Sequence, residues 1–307
     1  MKMEQQSFRA KDNTIINYYK WSPKLANIKA AVQISHGMAE IAERYSGLAE
    51  NLTNSGYLVY GNDHRGHGKT AESIDKLGVV ADKEGFSVLV DDMYEFSKII
   101  KLENNIPLFV LGHSMGSFLV QRYIQLHGKE IQGALLSGTN GKQGLVLDVG
   151  LLAAGLEILF RGRNEKSTLM NSLCFGGYNK AFEPVRTPFD WLSRDNAEVD
   201  KYISNKYCGS IFPSGFFYDL FSGLKQIEQK ENMAMIPKNL PIYIFSGSED
   251  PVGKAGKGVL QLIDAYKHLG LTDVTYKLYP GGRHEMLHEI NSDEVTRDLL
   301  IWLNSKC

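Results

Sequence analysis

The chain has 307 residues, of which 43% are hydrophobic and 22% are charged, a composition typical of soluble globular proteins. A formal net charge of -1 provides no basic surface for nucleic acid, so we expect no nucleic-acid partner. The polar N-terminal sequence has no signal-peptide pattern, and the three cysteines (Cys174, Cys208 and Cys307) lack metal-type spacing. We therefore expect reduced thiols and a cytoplasmic protein.

The first half of the chain alternates between strand and helix patterns. Residues 14–21 and 30–35 are predicted strands, separated by a turn between Pro23 and Asn27. The patterns that follow are a helix at 44–54, a strand at 57–60, a helix at 86–102, and strands at 108–111 and 133–137. This alternation predicts an α/β fold with a mostly parallel sheet that is covered by helices on both faces.

The alternation stops after Thr139 and resumes near residue 216. Between them lie helical patches, glycines and prolines, with no convincing strand. The later patterns are a helix at 216–230, a strand at 241–245, a helix at 255–269, a strand at 274–279 and a helix at 294–304. We therefore predict one α/β core, formed by residues 1–139 and 216–307, with a mainly helical cap inserted at 140–215.

Residues 112–116 read Gly-His-Ser-Met-Gly and lie between a short apolar run and helical sequence. A G-x-S-x-G sequence between a strand and a helix is the pattern of a nucleophile elbow. On so sharp a turn the serine backbone is strained, and side chains at Gly112 and Gly116 would collide with their neighbours. We predict that Ser114 is a nucleophile at a helix N-terminus, which favours developing negative charge.

An acidic candidate follows the predicted strand at 241–245. Asp250 precedes a proline, which favours an extended turn conformation. An ordinary turn-forming aspartate is the alternative interpretation, and Glu249 is a rival carboxylate. We predict that Asp250 is the acid that orients a catalytic base.

A histidine candidate follows the predicted strand at 274–279. His284 lies in a glycine-rich loop, where its imidazole can reach both Ser114 and Asp250; a solvated loop histidine is the alternative. His288 fits less well because it lies within the following helical stretch. A serine hydroxyl needs a base and an orienting carboxylate, and here they occur in the order Ser, Asp, His. We predict a catalytic triad of Ser114, Asp250 and His284.

Two backbone amides are predicted to form an oxyanion hole. One donor is expected from the residue after the nucleophile and the other from an early loop. Met115 supplies the first. Met38 is the candidate for the second, because its loop follows the buried strand at 30–35.

Five motifs together resemble the monoacylglycerol lipase and lysophospholipase branch of the α/β-hydrolase fold. They are HGMAE at 36–40, NDHRGHG at 62–68, LGHSMGS at 111–117, SGSEDPV at 246–252 and GGRHE at 281–285. The resemblance implies a serine esterase that needs no cofactor and cleaves medium- or long-chain monoacylglycerols, lysophospholipids or related esters. It maps the catalytic roles onto Ser114, Asp250 and His284, and the oxyanion amides onto Met38 and Met115.

Two departures from the family pattern loosen the substrate assignment. Ser117 occupies a position where the family usually has a further glycine. Residues 69–70 read Lys-Thr where the family has a pair of small residues. Neither departure touches the predicted triad.

Two further clusters are interpreted as structural. The segment at 63–67 brings an aspartate, two histidines and an arginine together, but its spacing favours a hydrogen-bonded turn in which Arg65 pairs with Asp63 or with a distant acid beside the site. We expect no metal site. The glycine- and lysine-rich sequence at 253–258 lacks the spacing of a phosphate-binding loop, so we also expect no nucleotide site.

The predicted cap contains two segments that could contact substrate or membrane. Trp191, within 188–195, either lines an acyl channel and binds substrate or packs in the cap core. The apolar helix at 145–160 ends in the basic sequence of 161–166. It is either a cap helix over the active site or a surface for transient docking on an anionic membrane, and both can hold.

We therefore predict a serine carboxylic ester hydrolase that acts through an acyl-enzyme on Ser114 and takes a lipid or small ester as its substrate. A thioesterase or a serine peptidase with the same triad is the second hypothesis, because fold and nucleophile do not fix the leaving group. A catalytically silent binding protein is the third. The sequence leaves open the leaving group, the acyl-chain length and the oligomeric state.

Overall fold

A single eight-stranded sheet forms the centre of the molecule in the computed structural model, which describes residues 1–24 and 27–307. The strands are β1 (Lys2–Arg9), β2 (Ile15–Ser22), β3 (Ala30–Ser35), β4 (Tyr57–Asn62), β5 (Leu108–His113), β6 (Gly133–Ser137), β7 (Ile242–Gly247) and β8 (Val274–Tyr279). Their order in the sheet is β1-β2-β4-β3-β5-β6-β7-β8. β1 pairs with β2, and β2 with β4, in antiparallel fashion, whereas the strands from β4 to β8 pair in parallel.

Helices cover both faces of this sheet. The α-helices of the described residues are α1 (Ser46–Asn54), α2 (Gly85–Asn104), α3 (Met115–His127), α4 (Val146–Arg161), α5 (Thr168–Phe175), α6 (Asn196–Ser204), α7 (Ser214–Ile227), α8 (Lys230–Ala234), α9 (Lys257–His268) and α10 (Ser292–Lys306). α1 and α10 pack on one face, α2, α3 and α9 pack on the other, and α7 packs against α2 and α3. Because both faces are covered, every residue of β3, β4, β5, β6 and β7 is buried. The predicted α/β fold class is confirmed.

The predicted elements of the core match the observed ones closely, with one omission. β1 has no counterpart in the sequence prediction because Phe8 is the one buried residue among its eight. The predicted helix at 216–230 is divided between α7 and α8. The predicted turn between Pro23 and Asn27 includes Leu25 and Ala26, which lie outside the described residues.

The segment between β6 and α7 carries α4, α5 and α6 and several short turns. It has its own apolar cluster, in which Trp191, Leu192, Tyr202 and Cys208 pack with Ile41 of the core. α7 begins at Ser214, inside the predicted cap boundary, and the division at residues 140–215 stays a prediction. In the described part of the chain, no helix has both the length and the apolar character needed to cross a membrane.

The strand register brings the site-bearing loops to one edge of the sheet. Ser35 at the end of β3 pairs with Gly112 of β5, and His113 pairs with Ser137 of β6. Farther along, Gly247 of β7 pairs with Tyr279 of β8. Since the carboxyl ends of parallel strands meet at one edge, the loops after β3, β5, β7 and β8 lie together there.

Candidate active site

Ser114 forms the sharp turn that joins β5 to α3. Its backbone has φ 51° and ψ -119°, a conformation that non-glycine residues adopt rarely. The turn is packed closely enough that a Cβ atom on Gly116 would overlap the carbonyl oxygen of Ser35. A Cβ atom on Gly112 would overlap the carbonyl group of Gly116. The glycines therefore let a strand, a turn and a helix approach one another closely enough to hold this serine in its strained conformation.

Ser117, the departure from the family pattern, fits into the first turn of α3. Its side chain is fully buried, and its hydroxyl donates a hydrogen bond to the carbonyl oxygen of Ser114 at 2.6 Å. The extra hydroxyl is thus paired within the helix.

Asp250 and His284 form a buried pair at the ends of β7 and β8. The Nδ1 atom of His284 lies 3.0 Å from Oδ1 of Asp250, and the two side chains are 2% and 0% exposed. The hydroxyl of Ser246 and the backbone N–H of Val252 both donate hydrogen bonds to the Asp250 carboxylate, each at 2.9 Å. The aspartate is therefore fixed in place and can orient the imidazole.

The rival residues are placed differently. Glu249 is exposed. His288 has its Nε2 atom 3.1 Å from the carbonyl oxygen of Arg44, an arrangement in which the imidazole N–H donates. The structure thus pairs Asp250, rather than Glu249, with His284.

The charge state of His284 is controlled by its surroundings. Burial alone would lower the pKa of this imidazole, but the nearby carboxylates, Asp250 foremost, together outweigh burial and raise the pKa above its ordinary value. The carboxylates of Glu285 and Glu40 act in the same direction. A proton taken up by His284 is therefore stabilised by these carboxylates.

Ser114 and His284 line the same cavity, which has a volume of about 210 Å³. Met38 lines it too, from the loop after β3. Met115 is the first residue of α3, so its backbone N–H has no acceptor within the helix. These positions fit the predicted oxyanion amides, whose roles stay a prediction.

A second, larger cavity of about 370 Å³ meets the first at Ser114. Its walls come from α3, α4, α5, α7 and the loop after β7. The apolar residues that line it include Met115, Phe118, Leu147, Val149, Met170, Leu173, Phe217, Phe221 and Leu224. An apolar cavity of this kind suits a hydrocarbon chain.

Trp191 lines the smaller cavity, and its ring centroid lies 5.1 Å from that of His284. It also packs against Phe175 and Tyr178, with centroid distances of 6.0 and 4.9 Å. The two interpretations of Trp191 from the sequence were that it lines an acyl channel or that it packs in the cap core. The structure puts Trp191 in the cap cluster and beside the histidine, in the smaller cavity rather than in the wall of the larger apolar one.

A buried ionic cluster beside the site was not foreseen from the sequence. The guanidinium of Arg44 donates two hydrogen bonds to Glu285, at 2.8 and 2.6 Å, and one to Glu40 at 2.6 Å. Glu40 in turn accepts a hydrogen bond from the backbone N–H of Gly37 at 2.5 Å. The sequence signal for the cluster is that Glu40 and Glu285 belong to the HGMAE and GGRHE motifs, which also contain Met38 and His284.

The turn at residues 63–67 has the hydrogen bonds expected of a structural element. Asp63 accepts hydrogen bonds from the backbone N–H groups of Ala42 and Lys69, each at 2.9 Å, and burial raises its pKa to about 6. Arg65 pairs with Asp12 and Asp92 rather than with Asp63. Arg65 therefore pairs with distant acids, as one alternative expected, but neither acid lines the two cavities at Ser114, so the expected position beside the site is not observed.

α4 places apolar side chains on both of its sides. Leu147 is buried and lines the larger cavity, as Gly150 does, whereas Val146 and Val149 border that cavity and are also exposed. Seven apolar residues in and next to this helix are about half or more exposed: Leu145, Val146, Val149, Leu152, Leu156, Leu159 and Phe160. We refer to this set as the exposed α4 face.

The chain resembles known hydrolases over nearly its whole length. The family described as serine aminopeptidase, S33, matches residues 26–291. The monoglyceride lipase of Mus musculus is 30% identical over 93% of this chain and 84% of its own. The monoacylglycerol lipase of Mycolicibacterium smegmatis is 28% identical over 98% and 97% of the two chains. A solved carboxyl esterase from Bacillus coagulans, in complex with glycerol, superposes with a TM-score of 0.91 at 27% identity, covering 99% of each chain.

Proposed function

The chain belongs to the serine aminopeptidase S33 family of hydrolases, and on that premise we propose that it cleaves carboxylic esters of single-chain lipids. The observation that carries the proposal is the buried pair of His284 and Asp250, in which His284 lines one cavity together with the strained Ser114. The lipase and esterase names of the similar proteins support an ester as the substrate.

In the proposed reaction the Ser114 hydroxyl attacks the ester carbonyl while His284 takes its proton. Asp250 holds the imidazole in the required tautomer and stabilises the imidazolium. The backbone amides of Met38 and Met115 donate hydrogen bonds to the oxyanion, and the positive end of the α3 dipole favours that charge. His284 then protonates the leaving alcohol, and water repeats the sequence on the acyl-enzyme.

The two cavities suggest where each half of the ester lies. His284 must reach the leaving oxygen, and it lines the smaller cavity, so the alcohol is assigned there. The larger, apolar cavity then takes the acyl chain. A single medium- or long-chain acyl group fits this arrangement, which supports a monoacylglycerol or a lysophospholipid as the substrate.

The exposed α4 face supports a further part of the proposal, transient contact with a membrane that supplies the substrate. Leu152 and Leu159 are 66% and 74% exposed, and basic residues Arg161 and Lys166 follow them. Apolar side chains beside basic ones suit the surface of an anionic bilayer. We place the enzyme in the cytoplasm, in keeping with its three unpaired cysteines.

Vesicle binding tests the membrane contact. A Leu152→Glu, Leu159→Glu double variant should sediment less with vesicles of phosphatidylcholine and phosphatidylserine than the wild type does. Leu126→Glu makes the same change at an exposed leucine of α3, outside the cap, and should leave sedimentation unaltered. Equal binding by all three proteins would refute the assignment of the contact to α4.

The hydrolase function is tested at the nucleophile. Ser114→Ala should abolish hydrolysis of p-nitrophenyl esters and labelling by a fluorophosphonate probe, while its circular dichroism matches that of the wild type. Intact-mass analysis of the wild type after exposure to a monoacylglycerol should reveal the acyl-enzyme. Full turnover by the variant would overturn the assignment of Ser114.

A comparison of matched substrates separates the ester proposal from the peptidase and thioesterase alternatives. The wild type should cleave an octanoyl ester faster than the matched octanoyl thioester or an aminoacyl amide. A preference for the amide would favour a peptidase, the activity named in the family description.

A further inference from the structure

The smaller cavity is negatively charged. Among the described residues that line it, the only aspartate, glutamate, lysine or arginine side chains are those of Glu40 and Glu285. Their side chains are 3% and 4% exposed, so solvent screens them weakly. Burial favours the neutral acid at Glu285, but the Arg44 guanidinium outweighs it and lowers the pKa of this carboxyl well below its ordinary value.

Arg44 neutralises only part of this charge. Its guanidinium bonds to both carboxylates, so one positive charge faces two negative charges and the cluster has a formal charge of -1. Arg44 is itself 9% exposed and makes these bonds with both of its Nη atoms. It is therefore already engaged and poorly placed to bind an incoming phosphate.

We propose that Glu285, together with Glu40, makes the smaller cavity select leaving alcohols by charge: neutral and cationic alcohols are accepted, and phosphate-bearing alcohols are excluded. This inference rests on the proposed function, because it assigns the leaving alcohol to that cavity. It narrows the substrate class to esters of neutral or cationic alcohols, glycerol among them, and away from lysophospholipids, whose leaving alcohol carries a phosphate.

The rest of the cavity wall is compatible with such alcohols. Asn171, Ser172 and Ser210 line it and offer neutral hydrogen-bonding groups for the hydroxyls of a polyol. Trp191 and Tyr202 add aromatic surface, which attracts a cationic head group as readily as it packs against a neutral one.

The mechanism keeps a phosphate on the leaving alcohol close to these two carboxylates. A phosphate on the leaving alcohol would lie in the same low-dielectric cavity as the two carboxylates, where like charges repel more strongly than in water. The alcohol must also stay close to His284 for protonation, so it cannot move away from them.

Three octanoyl esters that differ in the alcohol test the proposal. They are 1-octanoylglycerol, octanoylcholine and 1-octanoylglycerol 3-phosphate, all assayed as monomers in solution. For the wild type, kcat/KM should be at least about tenfold lower for the phosphate ester than for the glycerol ester. Equal kcat/KM for all three would overturn the charge selection and leave the ester-hydrolase function standing, whereas no turnover of any of them would overturn both.

Variants assign the effect to Glu285. Glu285→Gln removes the charge but keeps an oxygen that can accept from Arg44, and it should bring the phosphate and glycerol esters closer by about tenfold. Glu285→Asp keeps the charge and should retain the wild-type ratio. Glu231→Gln removes the same charge from the exposed surface of α8 and should also leave the ratio unchanged. If Glu285→Gln behaves like Glu231→Gln, Glu285 is not the determinant.

Discussion

The guanidinium of Arg44 and the carboxylate of Glu285 are joined by two hydrogen bonds although they lie 241 residues apart in the chain. Through Glu40 the same guanidinium reaches the N–H of Gly37, next to the proposed oxyanion donor Met38. The loop after β3 and the loop that carries the histidine are therefore held together by one buried side chain.

The replacement Arg44→Lys should slow catalysis while keeping the positive charge. A lysine ammonium lacks the planar fork that contacts both carboxylates, so the two loops lose their fixed spacing. We expect kcat to fall by up to about 100-fold with a smaller change in KM, since small misplacements of catalytic groups are costly. Steady-state kinetics on a p-nitrophenyl ester, with near-ultraviolet circular dichroism to verify the fold, provide the check; an unchanged kcat would contradict this role.

The pH profile of kcat/KM should report on His284. The base must be neutral, and Asp250 raises its pKa, so activity should be lost as pH falls through a value above 6.5, the ordinary histidine pKa.

Asp250→Asn should lower kcat by about 10⁴-fold, as removal of the orienting carboxylate does in serine hydrolases. Glu249→Gln changes the adjacent, exposed carboxylate and should leave kcat near the wild-type level. The reverse ranking of the two variants would exchange their roles.

The sequence was sufficient to predict where Ser114, Asp250 and His284 lie, because their placement depends on local pattern and strand order. The turn at Ser114 is encoded by five consecutive residues, and Asp250 and His284 follow successive late strands. The contacts of Arg44 could not be predicted from the sequence, because no periodicity relates residues of two loops that lie so far apart in the chain. β1 was not predicted for a different reason. An edge strand with one buried side chain has no alternation of apolar and polar residues.

Leu147→Trp should shorten the acyl chains that the enzyme accepts. Leu147 is 3% exposed and lines the larger cavity, so an indole there would occupy space assigned to the chain. We expect kcat/KM for a p-nitrophenyl palmitate to drop at least about tenfold, while the butyrate ester of the same alcohol keeps its rate. A parallel loss for both esters would indicate general damage instead of a shortened cavity.

Buried histidines should make the protein unstable in acid. Burial lowers the pKa of His36 to about 4 and of His67 to about 3, so the folded state resists protons that the unfolded chain binds near 6.5. These two histidines therefore leave the free energy of unfolding undiminished above pH 6.5. They lower it as the pH falls towards 4 and 3, by about 1.4 kcal/mol per pH unit for each.

Replacing one of these histidines should flatten that dependence. The His67 ring packs edge-on against Phe212 at 4.9 Å, and its Nε2 atom is buried without a hydrogen-bond partner in the described part of the chain. His67→Phe should reduce the slope of the unfolding free energy against pH between 6 and 4 by about 1.4 kcal/mol per unit. Urea unfolding at several pH values measures the slope, and an identical slope in both proteins would rule out His67 as a source.

Of the described residues, only Met38, Ser114 and Phe175 line both cavities. Under the proposed assignment, the alcohol can therefore depart while the acyl chain stays in place on the serine. The vacated space is open to water and equally to a second alcohol. The enzyme should then follow ping-pong kinetics and transfer acyl groups to added glycerol, with the balance between transfer and hydrolysis set by which molecule next occupies that space.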